Sequence, residues 1–243
     1  MNPIAPLESD TVRVRWIEID AEGDLRMPGW RELLDDEERA RASRFRRALD
    51  HDVFIAAHAL LRSMLSEATG GPTRGWQYAV GRHGKPRLAD DCRESGLHFN
   101  LTHTRGIAVC AIAANDVGVD IEVSERRVDL AVADRLFAPP EVLAIRRAPP
   151  ERRAELFFRY WTLKEAFIKA TGEGLSRNLA SFSFTLDPVR IAFHSNDGST
   201  QHNDNPCDWQ FVERSPTGDS LLAVAVRRST GSPVHLDIRG DPS

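Results

Sequence analysis

The sequence predicts an α/β fold of the α+β type, in two similar halves that each run strand, helices and then three strands. Three observations support this: the order of apolar patterns repeats once, 243 residues suffice for two halves, and 41% of them are hydrophobic. Two halves related by a pseudo-two-fold would enclose a cleft, which is a favoured place for a ligand. The predicted boundaries are 1–115 and 116–230 for the halves and 231–243 for a loosely held tail.

The first half opens with a strand, because Val12, Val14 and Trp16 alternate with arginines. A helical stretch follows from about Leu33 to Glu67, with a break near residues 49–51. Its second part is almost entirely apolar, as expected of a core helix. Three strand candidates complete this half: GWQYAV, the alternating segment at 97–101, and GIAVCAIAA.

The second half repeats this order, beginning with the strand VGVDIEV at 117–123. Helical patterns cover about 130–147 and 151–171, and pairs of prolines interrupt them. Three strand candidates follow, namely SFSFTL, DWQFVER and SLLAVAVRR, with a polar loop at about 193–206.

Charge and composition exclude several classes of function. The formal net charge of −4 argues against an extended nucleic-acid-binding face. No apolar run approaches the roughly 18 residues of a membrane span, and the start MNPIAPLESD does not have the pattern of a signal peptide. The cysteines Cys92, Cys110 and Cys207 form neither a disulfide framework nor a zinc pattern. We therefore expect a cytoplasmic protein without nucleic-acid or membrane partners.

The strand VGVDIEV places two carboxylates on one face. Its four β-branched residues point to the other side, so Asp120 and Glu122 are neighbours about 7 Å apart. A hard cation such as Mg²⁺ relieves their repulsion and prefers oxygen ligands. Alternatively, the acids lie on a solvent-facing strand and pair with Arg126 and Arg127. The pattern alone leaves both interpretations open.

The segment FFRYWTLKEAFIKATGEGL predicts a helix with two distinct faces. Trp161, Glu165 and Lys169 are four residues apart and share one face, whereas Leu163 and Phe167 line a more buried side. Glu165 could supply a third oxygen ligand and Lys169 could hold a phosphate. The simpler alternative is an ordinary i,i+4 ion pair on a solvated helix.

Several basic residues precede the strand VGVDIEV in the sequence. Lys85 lies in a Gly-Lys-Pro turn, and His103 ends the strand LHFNLTH, so both could contact a phosphate. A surface lysine and a loop histidine are the alternative, and His98 with His103 lacks further ligands for zinc. Five arginines in RARASRFRRALDH (39–51) could bind phosphate or form a solvated helix face.

The order of these motifs resembles one family. FNLTH, then GVDIE, then WTLKEAFIKATGEGL, with GKP upstream, resembles the 4′-phosphopantetheinyl transferase superfamily over about Leu33 to Leu175. The length and the repeated plan are similar to its larger, Sfp-type class, in which one chain folds as a pseudo-dimer. The resemblance implies a monomer whose cleft lies within one chain.

The resemblance also implies a reaction. The phosphopantetheine arm of coenzyme A would pass to a serine of an apo acyl, peptidyl or aryl carrier protein, releasing adenosine 3′,5′-bisphosphate. Asp120, Glu122 and Glu165 match the catalytic acids around Mg²⁺, and either Glu165 or a water on the metal would take the serine proton. The matching cofactor-binding residues are Lys169 near the pyrophosphate and Lys85, Thr102 and His103 near the nucleotide phosphates.

The chain departs from the family at the residues that bind the 3′-phosphate of coenzyme A. Basic positions of relatives fall on Glu38, Arg41 and Val53 here, so Arg41 and Arg44, or Arg46, would take over this role. Two other functions remain possible: a different Mg²⁺-dependent phosphoryl or nucleotidyl transferase, and a non-catalytic binding module. No GxxxxGK[ST] loop supports a nucleotide-hydrolysing enzyme.

Overall fold

The structure is a computed structural model that describes residues 7–8, 10–20, 24–81, 83–123, 128–194, 205–228 and 233–240. The side chains of residues 93 and 94 are not described. The helices are α1 (Met27–Leu33), α2 (Asp36–Ala42), α3 (Ala48–Thr69), α4 (Ala131–Leu136), α5 (Pro139–Arg147) and α6 (Pro150–Thr171). The strands are β1 (Thr11–Glu18), β2 (Tyr78–Val80), β3 (Pro86–Leu88), β4 (His98–Thr104), β5 (Ile107–Ala113), β6 (Val117–Val123), β7 (Phe182–Thr185), β8 (Arg190–Phe193), β9 (Trp209–Arg214), β10 (Ser220–Arg227) and β11 (His235–Gly240).

The main sheets are two. The first has the strand order β11-β1-β5-β4, and the second has the order β6-β10-β9. Every pairing in them is antiparallel except that of β1 with β11, which is parallel. The remaining strands form the hairpins β2-β3 and β7-β8.

The apolar alternation of the strands explains the layering. In β5, Val109 and Ala111 face Val119 and Val224 of the second sheet, whereas Cys110 lies in a separate core under α3. A third core joins the outer face of the second sheet to α6. The layers are therefore α3, first sheet, second sheet and α6, and β5 is buried at every residue because both its faces are covered.

The prediction of a mixed α and β fold is confirmed, but its details need correction. In the described residues, each run of helices is followed by a short hairpin and two longer strands, not by three strands. The strands β3 and β8 have three and four residues, which is too short for a clear period-2 pattern. The helical break lies at 43–47 rather than 49–51, and α1 was not predicted.

The expectation of a loosely held tail is wrong for residues 235–240. They form β11, whose backbone pairs with β1 from Thr11↔His235 to Trp16↔Gly240. The ion pair of Arg15 with Asp237 fastens the same contact. None of the helices in the described ranges has the length and apolarity that a membrane crossing needs.

Candidate active site

Strand β6 lies beneath α6 at close range. A Cβ atom on Gly118 would lie 2.1 Å from the carbonyl oxygen of Ala166, so only glycine allows this approach. The next residue on the same face, Asp120, is 5% exposed. A solvent-facing strand is therefore wrong for Asp120. The arginines of that alternative, Arg126 and Arg127, lie outside the described residues.

Lys169 of α6 joins the helix to the strand. Its Nζ lies 2.6 Å from Oδ1 of Asp120 and donates to Oγ1 of Thr102 at 3.3 Å. Thr102 in turn donates to the same Asp120 oxygen at 3.3 Å. These contacts bring together three of the residues that the sequence singled out, from β4, β6 and α6.

Glu165 lies one turn before Lys169 and completes an acidic group. Burial raises its pKa, the charges of Asp120 and Glu122 add to this effect, and Lys169 opposes it. The carboxylates of Asp120, Glu122 and Glu165 are therefore within electrostatic reach of one another. Burial of the other predicted face is also confirmed, since Leu163 and Phe167 are fully buried.

The acidic group has the chemistry that a divalent cation requires. Oδ2 of Asp120 is buried and accepts no hydrogen bond, which is unusual for a buried polar atom. Oxygen donors of this kind are the preferred ligands of Mg²⁺. Within the described ranges, however, no three potential ligands converge on one point, and the ammonium of Lys169 lies against the Asp120 carboxylate.

Both faces of strand β4 carry residues that concern the candidate site. Asn100 and Thr102 lie on the face towards β6, where Oδ1 of Asn100 accepts the N–H of Val119 at 2.9 Å. Asn100 is 7% exposed and holds β6 beside β4 without a backbone ladder between them. No role was predicted for this asparagine. Its signal was a polar residue alternating with Phe99 and Leu101 in a predicted strand.

His103 points to the α3 side of β4. Desolvation and the charge of Lys169 lower its pKa, whereas Asp50 opposes this shift, so the imidazole is neutral at pH 7. On α3, the ring of Phe54 contacts His58 at 4.1 Å, and the guanidinium of Arg41 lies 5.5 Å from the Phe54 centroid. Arg41 itself is exposed.

Arg44, which follows α2, is exposed. The structure gives a physical reason for the other two departures from the family. Glu38 is buried with its carboxylate bound to His58 and Arg62, and Val53 is a core residue that is 3% exposed. Both positions are therefore used for stability, whereas Arg41, Arg44 and Arg46 are exposed cations.

Lys85 lies at the opposite end of β6. Its Nζ donates to the carbonyl oxygen of Val117 at 3.1 Å and to that of Ala170 at 2.9 Å. Burial lowers the pKa of Lys85 to about 8, which leaves it protonated at pH 7. A cavity of about 540 Å³ beside it is lined by, among others, His98 of β4 and Asp116, which precedes β6.

Residues 116–225, which include β6 and α6, match the family model of the 4′-phosphopantetheinyl transferase superfamily. The 4′-phosphopantetheinyl transferase HetI of Nostoc sp. is 34% identical over 226 residues, covering 92% of this chain and 91% of the relative. The chain belongs to the 4′-phosphopantetheinyl transferase family. The resemblance inferred from the motifs is thereby confirmed, and this transferase is an enzyme.

Two other relatives are described as 4′-phosphopantetheinyl transferases as well. The transferase psf-1 of Bacillus pumilus is 32% identical over 83% of this chain and 82% of its own length. Sfp of Bacillus subtilis is 29% identical over 63% and 67%, respectively. Among solved structures, holo-[acyl-carrier-protein] synthase of Thermotoga maritima aligns with 46% of this transferase and 62% of that chain, at 23% identity and a TM-score of 0.37.

Proposed function

We propose that this transferase moves the 4′-phosphopantetheine arm of coenzyme A onto a serine of an apo acyl, peptidyl or aryl carrier protein, with Mg²⁺ as cofactor. Adenosine 3′,5′-bisphosphate is the second product. The observation that carries the proposal is the Asp120–Lys169 pair under α6, in which one buried carboxylate oxygen of Asp120 accepts no hydrogen bond. This pair lies within residues 116–225, the segment that matches the family model.

Asp120, Glu122 and Glu165 would hold the magnesium ion. When bound, the ion would neutralise negative charge on the pyrophosphate oxygens of coenzyme A. The buried oxygen of Asp120 and the raised pKa of Glu165 support this set of ligands. Burial is the main cause of the raised pKa of Glu165, and the charges of Asp120 and Glu122 add to it, so a cation bound here would stabilise the charged carboxylates.

The cations around this group would bind the anionic cosubstrate. Lys169 is proposed to contact the pyrophosphate, since its ammonium lies at the acidic group. Thr102 and His103 would contact the nucleotide phosphates from the two faces of β4, and a neutral His103 donates from one ring nitrogen. Family resemblance alone would add Lys85 to these phosphates, but its ammonium already donates to the carbonyl oxygens of Val117 and Ala170. Arg41 and Arg44 would bind the 3′-phosphate from the α2 side.

Glu165 is proposed as the general base for the serine hydroxyl. A base is most effective when its pKa approaches the working pH, and burial beside Asp120 shifts the pKa of Glu165 in that direction. The proton of the serine would pass to the Glu165 carboxylate as the oxygen attacks phosphorus. Lys169 would stabilise the charge that develops on the phosphate oxygens.

The two halves, 1–115 and 116–230, are proposed to be related by a pseudo-two-fold within a cytoplasmic monomer. The order strand, helices, hairpin and two longer strands occurs once before residue 115 and once after it. In both halves, a helix of 22 residues packs on the sheet of that half. The cysteines Cys92, Cys110 and Cys207 are free thiols, as in a reducing compartment.

The test is mass spectrometry of apo carrier proteins incubated with this transferase, coenzyme A and Mg²⁺. We expect one phosphopantetheine increment on a carrier, and none when its acceptor serine is replaced by alanine or when a chelator removes Mg²⁺. Carriers from fatty-acid, polyketide and nonribosomal-peptide systems should be tried in parallel. Absence of the increment on all of them would contradict the proposal, and transfer in the presence of the chelator would remove Mg²⁺ from it.

A further inference from the structure

Lysine is scarce in this transferase. Lys85, Lys164 and Lys169 are its three lysines among 32 Lys and Arg residues. None of them is exposed, and each ammonium donates to acceptors within the fold. An ammonium is compact and has three donors, so it fits between converging carbonyl oxygens where a planar guanidinium does not. The lysines therefore mark places where an internal cation is held.

Lys164 shows what such a cation does here. Its Nζ donates to the carbonyl oxygens of Leu179 and Phe182, both at 2.7 Å, and lies 2.9 Å from Oε2 of Glu141. Both charged side chains are fully buried. The ammonium thus ties α6 to α5 and to the chain that leads into β7, which is a purely internal role.

Lys85 has a similar arrangement at the other end of the helix. Val117 is the first residue of β6, and Ala170 lies in the last turn of α6. Carbonyl oxygens in the last turn have no partner within a helix, and a cation there also interacts favourably with the helix dipole. The stem of Lys85 packs against Gly172, where a Cβ would lie 3.3 Å from Lys85 Cδ. The side chain therefore links three elements: the β2–β3 hairpin, β6 and α6.

The two carbonyl groups that Lys85 binds lie close in sequence to the acidic group, one on β6 and one on α6. Asp120 follows Val117 by three residues in β6, and Lys169 immediately precedes Ala170 in α6. We propose that Lys85 is a positioning residue, whose ammonium sets the separation between Asp120 on the strand and Glu165 and Lys169 on the helix. Its effect on turnover rests on the function proposed above, whereas the link itself does not.

A positioning residue and a phosphate ligand differ in whether the side chain is already held before coenzyme A binds. A phosphate ligand becomes ordered when coenzyme A arrives, whereas a structural link exists in the free protein. The two carbonyl bonds already use two of the three donors of Lys85. The lowered pKa agrees with an ammonium removed from water, and Asp116 nearby favours its charged form.

The first experiment uses the unmodified protein without ligand. With ¹⁵N-lysine labelling, the chain gives at most three ammonium signals, and Lys85→Met assigns one of them by its loss. We expect the Lys85 ammonium signal in the coenzyme A-free protein at pH 6, because hydrogen bonds slow its exchange with water. A signal that appears only after coenzyme A is added would overturn the proposal.

The second experiment compares Lys85→Met with Arg87→Met. Met keeps the apolar stem, and Arg87 is a neighbouring cation whose guanidinium binds exposed Asp90. In the free protein, we expect amide exchange at 168–173 to rise at least about tenfold in Lys85→Met and to stay unchanged in Arg87→Met. Equal exchange in Lys85→Met and the parent protein would overturn the link.

Turnover separates the two roles of Lys85. We expect kcat of Lys85→Met to fall about tenfold or more, with KM for coenzyme A changed less than about threefold. A raised KM with an unchanged kcat would identify a phosphate ligand and overturn the proposal. If no carrier is modified even by the parent protein, the proposed function fails, while the exchange and ammonium signals still decide whether the link exists.

Discussion

Two ionic clusters, one at α2 and α3 and one at β6 and α6, each combine carboxylates with cations but differ in how fully their hydrogen bonds are satisfied. At α2 and α3, Arg62 donates to Glu38 at 2.9 Å and to Asp35 at 2.8 Å, and His58 lies 2.7 Å from Glu38. Asp35 and Glu38 also form the capping box of α2. At β6 and α6, Asp120 has a carboxylate oxygen without a hydrogen-bond partner.

The pKa directions express the same contrast. Burial alone would raise the pKa of Glu38, but the hydrogen bond and charge of His58, the N–H of Asp35 and the charge of Arg62 together outweigh it, and the net shift is downward. Burial and Asp120 raise the pKa of Glu165. The first cluster therefore stabilises the charged carboxylate, whereas the second disfavours it. A satisfied cluster serves the fold, and an unsatisfied one is suited to bind an external cation.

The largest expected effect is the loss of activity in Glu165→Gln. Transfer should fall by about 10³-fold, because the amide cannot accept the serine proton. The melting temperature should stay the same or rise, since the change removes repulsion with Asp120. Single-turnover mass spectrometry and thermal unfolding measure the two effects. Glu155→Gln on the same helix, where Glu155 is 45% exposed, is the control. A stable Glu165→Gln variant with full activity would remove this residue from the site.

Arg62→Met should have the opposite profile. Arg62 is 1% exposed, so its loss leaves Glu38 buried with a weaker set of partners. We expect the free energy of unfolding to fall by about 3 kcal/mol, as when one partner of a buried ion pair is removed. Activity of the folded fraction should persist. Urea unfolding of this variant and of Arg152→Met, an exposed control, provides the comparison. Equal stability of both variants would show that the first cluster does not hold the fold.

Gly118→Ala should affect both stability and activity. Its Cβ would meet the carbonyl oxygen of Ala166 and the amide nitrogen of Ala170, which are backbone atoms that cannot rotate away. We expect a loss of about 1–3 kcal/mol by overpacking and slower transfer, because α6 must move away from β6. Gly218→Ala is the control, since a Cβ there meets nothing within 4 Å. Thermal unfolding that does not distinguish the two variants would contradict the close approach.

The smallest expected effect is in the acid dependence of stability. Glu38 has an ordinary pKa of 4.5 that folding lowers, so its stabilisation is present above that value and is lost as pH falls through the folded pKa. The parent protein should therefore lose stability more steeply below about pH 4.5 than Glu38→Gln does. Urea unfolding at several pH values measures both slopes. Parallel slopes would mean that Glu38 does not contribute in this way.

Local pattern predicted the strand with Asp120 and Glu122 and the helix with Glu165 and Lys169, because alternation and helical spacing are properties of neighbouring residues. It did not predict what covers Asp120, since α6 reaches β6 only through the glycine at 118. Local pattern also could not predict the contacts of Lys85. Its two acceptors lie 32 and 85 residues away, and every residue has a backbone carbonyl, so the sequence does not indicate which ones accept. The site roles of the named residues stay predictions.

The pairing of β11 with β1 has a consequence for synthesis on the ribosome. Strand β1 is made first, yet one of its neighbours is β11, which begins at His235. Chains fold as they emerge, so β1 waits with this edge unpaired until residues 235–240 have been translated. A nascent chain stalled before residue 235 would expose that edge to other nascent chains. A stop codon that ends translation before His235 would thus be expected to cause aggregation.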